Sequence, residues 1–124
     1  MTPQIDDHLP LFAFGTLRRG HVNHHYLAGR YERVIAARLP DYAVVAPLMI
    51  DRSHGGSVPG ELFFLRPGVY EAAMADCDEL EGVTPRLSRY ATYQRRRVTV
   101  LTDQGSFEAW AYVRPTTHYR FVTA

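Results

Sequence analysis

The chain has no lysine: all 14 of its basic residues are arginine. Schiff-base chemistry, a lysine general base and a phosphate-loop lysine are therefore excluded. A single cysteine, Cys77, rules out an internal disulfide framework and any four-cysteine zinc site. Charge of one sign is lacking too. Thirteen acidic residues nearly balance the arginines, leaving a formal net charge of +1. Nothing in that balance favours nucleic acid or a membrane surface as a partner. No apolar run approaches the roughly 18 residues of a membrane-spanning helix. The opening MTPQIDDHLP is polar and acidic rather than a signal peptide. The expectation is a cytoplasmic protein.

Apolar residues make up 46% of the 124 residues, enough for a core in a chain of single-domain length. We expect one domain over 1–124, with 1–9 as a flexible leader. Leu11–Phe14 reads as a buried strand that stops at Gly15-Thr16. His21 to Gly29 suits a helical turn or two closed by Gly29. Residues 32–38 and 42–50 have strand composition, with Pro40-Asp41 as the turn between them. Asp51 to Ser57, centred on Gly55-Gly56, reads as a mobile loop over a cavity or at a rim. Val58 to Leu65 is a further strand. Val69, Ala73, Cys77 and Leu80 recur at helical spacing, with Met74 beside them, and Gly82 follows where a helix-ending glycine belongs. This predicts a helix over about 69–81. Two strands close the chain, 93–102 and 107–114, joined by Asp103-Gln104-Gly105-Ser106. Mostly sequential strands around one clear helix indicate an α+β fold: a small mixed, mostly antiparallel β-barrel with short flanking helical turns.

Four groupings have chemical potential. After a strand, the Gly15-Thr16-Leu17 turn can present successive backbone N–H groups to a carboxylate or oxyanion. A plain turn explains the same residues. Asp76, Asp78, Glu79 and Glu81 crowd the end of the predicted helix. There, mutual repulsion and the helix dipole both raise carboxyl pKa values, which suits a general acid/base. A solvated acidic face is the alternative. His21, Asn23, His24 and His25 could hold a metal, but no convincing third ligand accompanies them, and His54 and His118 are remote; metal-independent activity, insensitive to chelators, is expected. Arg95-Arg96-Arg97 suits an ion-pair ladder or a phosphate site.

Together these residues form a familiar sequence of motifs. Leu11-Phe12-Ala13-Phe14-Gly15-Thr16-Leu17-Arg18-Arg19-Gly20 resembles the opening motif of the gamma-glutamylcyclotransferase-like family. Val58-Pro59-Gly60-Glu61-Leu62-Phe63, Asp78-Glu79-Leu80-Glu81-Gly82, Tyr93 to Val100 and Ala109 to Val113 resemble its later motifs, in order. The resemblance implies a small mixed barrel with a cavity at the Gly15-Thr16-Leu17 turn. It implies Glu81 as the acid/base, with Phe14, Gly15, Thr16, Leu17 and Tyr93 around a small γ-glutamyl substrate. Tyr90 competes with Tyr93 for its place. Phe14 stands where the family usually has tyrosine, so that hydroxyl is missing here. The implied reaction is cyclisation of a γ-glutamyl amine to 5-oxoproline with release of the amine. It needs neither an enzyme nucleophile nor a cofactor. Two other readings fit the same residues: a non-catalytic module that binds a small carboxylate, and a hydrolase of small amides.

Overall fold

A computed structural model describes residues 8–83 and 92–115. Strand β1 (Leu11–Ala13) is buried on both faces. Phe12 packs inside the barrel, while Leu11 and Ala13 pack beneath the helix. That is why its sequence is a continuous apolar run rather than an alternating one.

Strands β2 (Tyr31–Ala46) and β3 (Met49–Leu65) form one long antiparallel hairpin, paired from Tyr31 opposite Leu65 to Ala46 opposite Met49, with register shifts between Tyr31 and Arg33, Pro40 and Tyr42, and Val44 and Ala46. A second hairpin joins β4 (Gln94–Thr102) to β5 (Gly105–Val113), with Gln94 opposite Val113 and Thr102 opposite Gly105. The barrel closes in the order β1-β3-β2-β4-β5. Its pairs are antiparallel except β1 with β5, which run parallel at Leu11 and Trp110.

The main helix α1 (Tyr70–Glu81) follows a short 3-10 turn, Pro67–Val69. Tyr70, Ala73, Met74 and Cys77 form its buried stripe, at the i, i+3, i+4, i+7 spacing of an amphipathic helix. Gly82 ends it in the left-handed conformation, φ 73°, and its N–H reaches the carbonyls of Asp78 and Glu79. Another 3-10 turn spans His24–Tyr26.

The structure corrects the expected layout in two places. Pro40-Asp41 is not a turn between two strands. Asp41 sits inside β2 at φ 63°, where the register with β3 shifts, and the real turn is Pro47-Leu48. Asp51 to Ser57 is not a mobile loop but part of β3. Asp51 pairs with Ala43, Arg52 with Tyr42 and Ser57 with Pro40, and the residues between bulge out opposite Asp41, whose carboxylate accepts the Gly55 N–H at 3.0 Å. Two residues of the expected leader, His8 and Leu9, contact the helix. The His8 ring stacks on Tyr70 at 4.3 Å, and Tyr70 donates to the Leu9 carbonyl at 2.6 Å. The rest of the expected leader lies outside the described residues.

Candidate active site

Where β1 ends, the chain enters the Gly15-Thr16-Leu17 turn beside the C-terminal end of α1. A recess opens there, lined by Phe12, Ala13, Phe14, Gly15, Thr16, Leu17, Leu48, Glu81, Tyr93 and Tyr112. With its solvent-open mouth included, the recess encloses about 410 Å³. All six residues expected around a site, Phe14, Gly15, Thr16, Leu17, Tyr93 and Glu81, line this one recess. Tyr90, the competitor of Tyr93, lies outside the described residues, as does His118.

Glu81 is the ionisable carboxyl of the recess. Burial pushes its pKa up to about 7. The sequence argument assigned this rise to crowding by neighbouring acids and to the helix dipole; in the structure desolvation is the cause. No hydrogen bond or ion pair engages the Glu81 carboxylate among the described residues. Its proton is therefore balanced near neutral pH and is not committed to a structural partner.

Two of the neighbouring acids are otherwise employed. Asp78 accepts two hydrogen bonds from Arg95, at 2.9 and 3.1 Å, and a third from the Tyr112 hydroxyl at 2.7 Å. Asp76 pairs with Arg30 at 2.9 Å, and Glu79 is exposed. Asp78 thereby holds Tyr112, whose ring lines the recess. Cys77, one residue earlier, is buried in the helix packing with its thiol pushed up to about 12 by desolvation. A thiol so rarely ionised is no nucleophile.

The turn itself is well supported. Among the described residues the backbone N–H groups of Gly15, Thr16 and Leu17 donate to no acceptor, although the Gly15 and Thr16 carbonyls are both engaged, by Arg18 and Asn23. Free donors in succession on the wall of a recess suit an anion or a polarised carbonyl. Gly15 itself does not take a positive φ. A Cβ there would stand 3.6 Å from Leu48 Cδ2, an ordinary contact. Its smallness keeps room in the recess rather than allowing a strained backbone.

Sequence reasoning missed three residues. Glu61 on β3 accepts the Arg19 N–H at 2.8 Å and the Arg19 guanidinium at 2.9 Å, tying down the far side of the turn. Burial alone would raise its pKa, but those bonds and the Arg19 charge hold it below the usual value. Tyr112 and Leu48 are the others. The Tyr93 hydroxyl donates to the Leu48 carbonyl, so that hydroxyl is occupied by the hairpin turn. For Glu61 the signal was available, in its place within the Gly60-Glu61 motif; Tyr112 and Leu48 reach the recess only through tertiary pairing.

The histidine cluster has a structural role. His24 bonds the Leu17 carbonyl at 2.9 Å through one ring nitrogen and the Tyr31 hydroxyl at 3.1 Å through the other. No group of three or more His, Cys, Asp or Glu that could hold a metal occurs among the described residues. The arginine run is divided. Arg95 pairs with Asp78 and lies 4.8 Å from the Trp110 ring centre, and Arg97 pairs with Glu108 at 3.2 Å. Arg95 and Arg97 are thus engaged in ion pairs, one to the helix and one to β5. Among the described residues, no helix is long and apolar enough to cross a membrane.

A family model described as gamma-glutamyl cyclotransferase, AIG2-like, matches residues 11–122. Among solved structures, YkqA from Bacillus subtilis is 26% identical, with a TM-score of 0.67 over 86% of this chain. This chain covers only 35% of YkqA. The Arabidopsis thaliana protein At3g28950.1 is 20% identical with a TM-score of 0.62, the alignment covering 93% of this chain and 74% of that one. A gamma-glutamyl cyclotransferase is 17% identical with a TM-score of 0.55, the alignment covering 86% of this chain and 66% of that one. At those last two identities the likeness is one of fold. No curated protein matches the chain.

Proposed function

Since the chain belongs to the gamma-glutamyl cyclotransferase, AIG2-like family, we propose that it cyclises a γ-glutamyl amine, releasing 5-oxoproline and the free amine, with Glu81 as general acid/base. One observation carries this reading. An unpaired, half-buried carboxyl with a pKa near 7 shares a recess with the unengaged N–H groups of Gly15, Thr16 and Leu17.

The chemistry follows from those parts. The substrate's α-amine is mostly protonated at neutral pH and cannot attack in that form. Glu81, ionised, accepts its proton. The freed amine attacks the γ-carbonyl carbon, and negative charge grows on the carbonyl oxygen. Backbone N–H donors of the turn stabilise that charge in a partly desolvated setting. Glu81 then returns its proton to the departing nitrogen and takes the second proton of the attacking nitrogen, the C–N bond breaks, the ring remains as 5-oxoproline, and the proton left on Glu81 departs with the released amine as its ammonium. Both reacting groups belong to one molecule, so the recess contributes by holding the folded conformer. No bond forms to the protein.

The test is a mass-spectrometric screen of γ-glutamyl amines against the purified protein. Release of 5-oxoproline with the amine supports cyclisation. Free glutamate in its place identifies a hydrolase, and binding without turnover identifies a carboxylate-binding module.

A further inference from the structure

Leu48 stands out in this recess. It lines the cavity, yet its side chain is 51% exposed, so it occupies the mouth rather than the floor. Its backbone is at φ 62°, a left-handed conformation that leucine rarely adopts and that glycine or asparagine normally fills in a turn. Two contacts hold it there. The Tyr93 hydroxyl donates to its carbonyl, and its Cδ2 lies against the Gly15 turn. Val44 and Val45, in the same hairpin end, are 59% and 51% exposed. Of these, Leu48 puts its apolar surface in water at the cavity mouth itself, where a binding role explains it.

We infer that the β2–β3 hairpin tip, centred on Leu48 and fixed by Tyr93, forms the subsite for the leaving amine and selects γ-glutamyl amides whose amine carries an apolar substituent. This rests on the cyclotransferase reading above. In that reading the polar groups of the γ-glutamyl half are engaged inside, by Glu81 and the Gly15-Thr16-Leu17 turn. The amine half then projects through the mouth, where it meets the isobutyl group of Leu48. An alkyl or aryl substituent buries that surface. A substituent bearing a carboxylate would be desolvated against it, and among the described residues the lining of the recess includes no arginine to compensate. Tyr93 acts here as a positioning residue. It holds the turn rather than offering its hydroxyl to the substrate.

The experiment compares 5-oxoproline release from γ-glutamyl isobutylamide, benzylamide and glycine, using the intact protein and Leu48→Asn. Asparagine accepts the left-handed turn, so this variant is chosen to keep the fold, which circular dichroism checks. Wild type should favour the two apolar amides over γ-glutamylglycine by about tenfold or more in kcat/KM, the discrimination an apolar pocket supplies. In Leu48→Asn that ratio should fall about tenfold. Tyr93→Phe, which lets the tip go, should raise KM for the apolar amides several-fold with kcat changed less. Turnover of all three amides without preference, or an unchanged ratio in Leu48→Asn, overturns the inference and leaves the cyclotransferase reading standing. Absence of 5-oxoproline from every amide overturns that reading, and the inference with it.

Discussion

The side chain of Glu81 is half-buried without a structural partner, unlike the paired Asp76 and Asp78, and its behaviour with pH follows. Its folded pKa, about 7, lies above the ordinary value of 4.5. Folding therefore favours the protonated form. For this group, stability is fully present below about pH 4.5 and is lost as pH rises through 7. Glu81→Gln cannot ionise, so its Tm should match wild type near pH 4.5 and exceed it at pH 8. The same variant should lose about 10²–10⁴-fold in kcat, the usual size of general acid–base catalysis. The acidic limb of the kcat/KM profile, expected near pH 7 in wild type, should vanish with it. Near-normal turnover in Glu81→Gln would move the role elsewhere. Asp78 supplies the contrast. Asp78→Asn weakens bonds to Arg95 and Tyr112 and should cost about 1.5–3 kcal/mol in denaturant unfolding, with a fall in kcat far smaller than that of Glu81→Gln.

At the scale of elements, two glycines set how the strands and the helix meet. A Cβ at Gly60 would come within 2.4 Å of the Ala13 carbonyl oxygen and 2.7 Å of the Phe12 ring. Gly60→Ala should push β1 away from β3 and destabilise the protein by about 1–3 kcal/mol or more, as overpacking does. Because β1 leads into the Gly15 turn, activity should fall in the molecules that stay folded. Gly82→Ala combines a left-handed backbone with a Cβ 2.6 Å from the Thr92 hydroxyl and should cost at least about 1 kcal/mol, measurable as a lower Tm. These elements were unequally legible in the sequence. Helix α1 has a clean 3.6-residue stripe and a glycine stop, and the β4–β5 hairpin has polar residues at its turn. The β2–β3 hairpin was misread because its turn residues violate the usual rules. Pro40-Asp41 has turn chemistry but lies within a strand, at a shift in register. Leu48 has none, yet sits in the turn at positive φ. Likewise, Glu81 and the Gly15 turn were visible as local motifs, whereas Leu48 and Tyr112 arrive through strand pairing that no local pattern encodes. The cause of the Glu81 shift was misjudged for the same reason: charge crowding can be counted along a chain, and burial cannot.

Across the whole molecule, the barrel depends on its shortest strand. The three residues of β1 separate β3 from β5, pairing Leu11 with Phe63 on one side and with Trp110 on the other. The Trp110 N–H also reaches the Pro10 carbonyl at 2.9 Å. Without β1 the ring is an open sheet with two unsatisfied edges. That arrangement has a consequence in time. Strand β1 precedes the other four in chain order and must wait for β3 and then, after all the other strands, for β5 before both its edges are paired. Contacts between segments so distant in sequence are slow to form. The floor of the recess runs straight out of β1, so a nascent or partly refolded chain can hold a finished helix and two finished hairpins and still have no site. Recovery of catalysis after dilution from denaturant should therefore track the slow step that pairs Trp110 with β1, followed by its fluorescence. Far-ultraviolet circular dichroism should recover earlier. Activity returning ahead of the Trp110 signal would mean that the site assembles before the ring is complete.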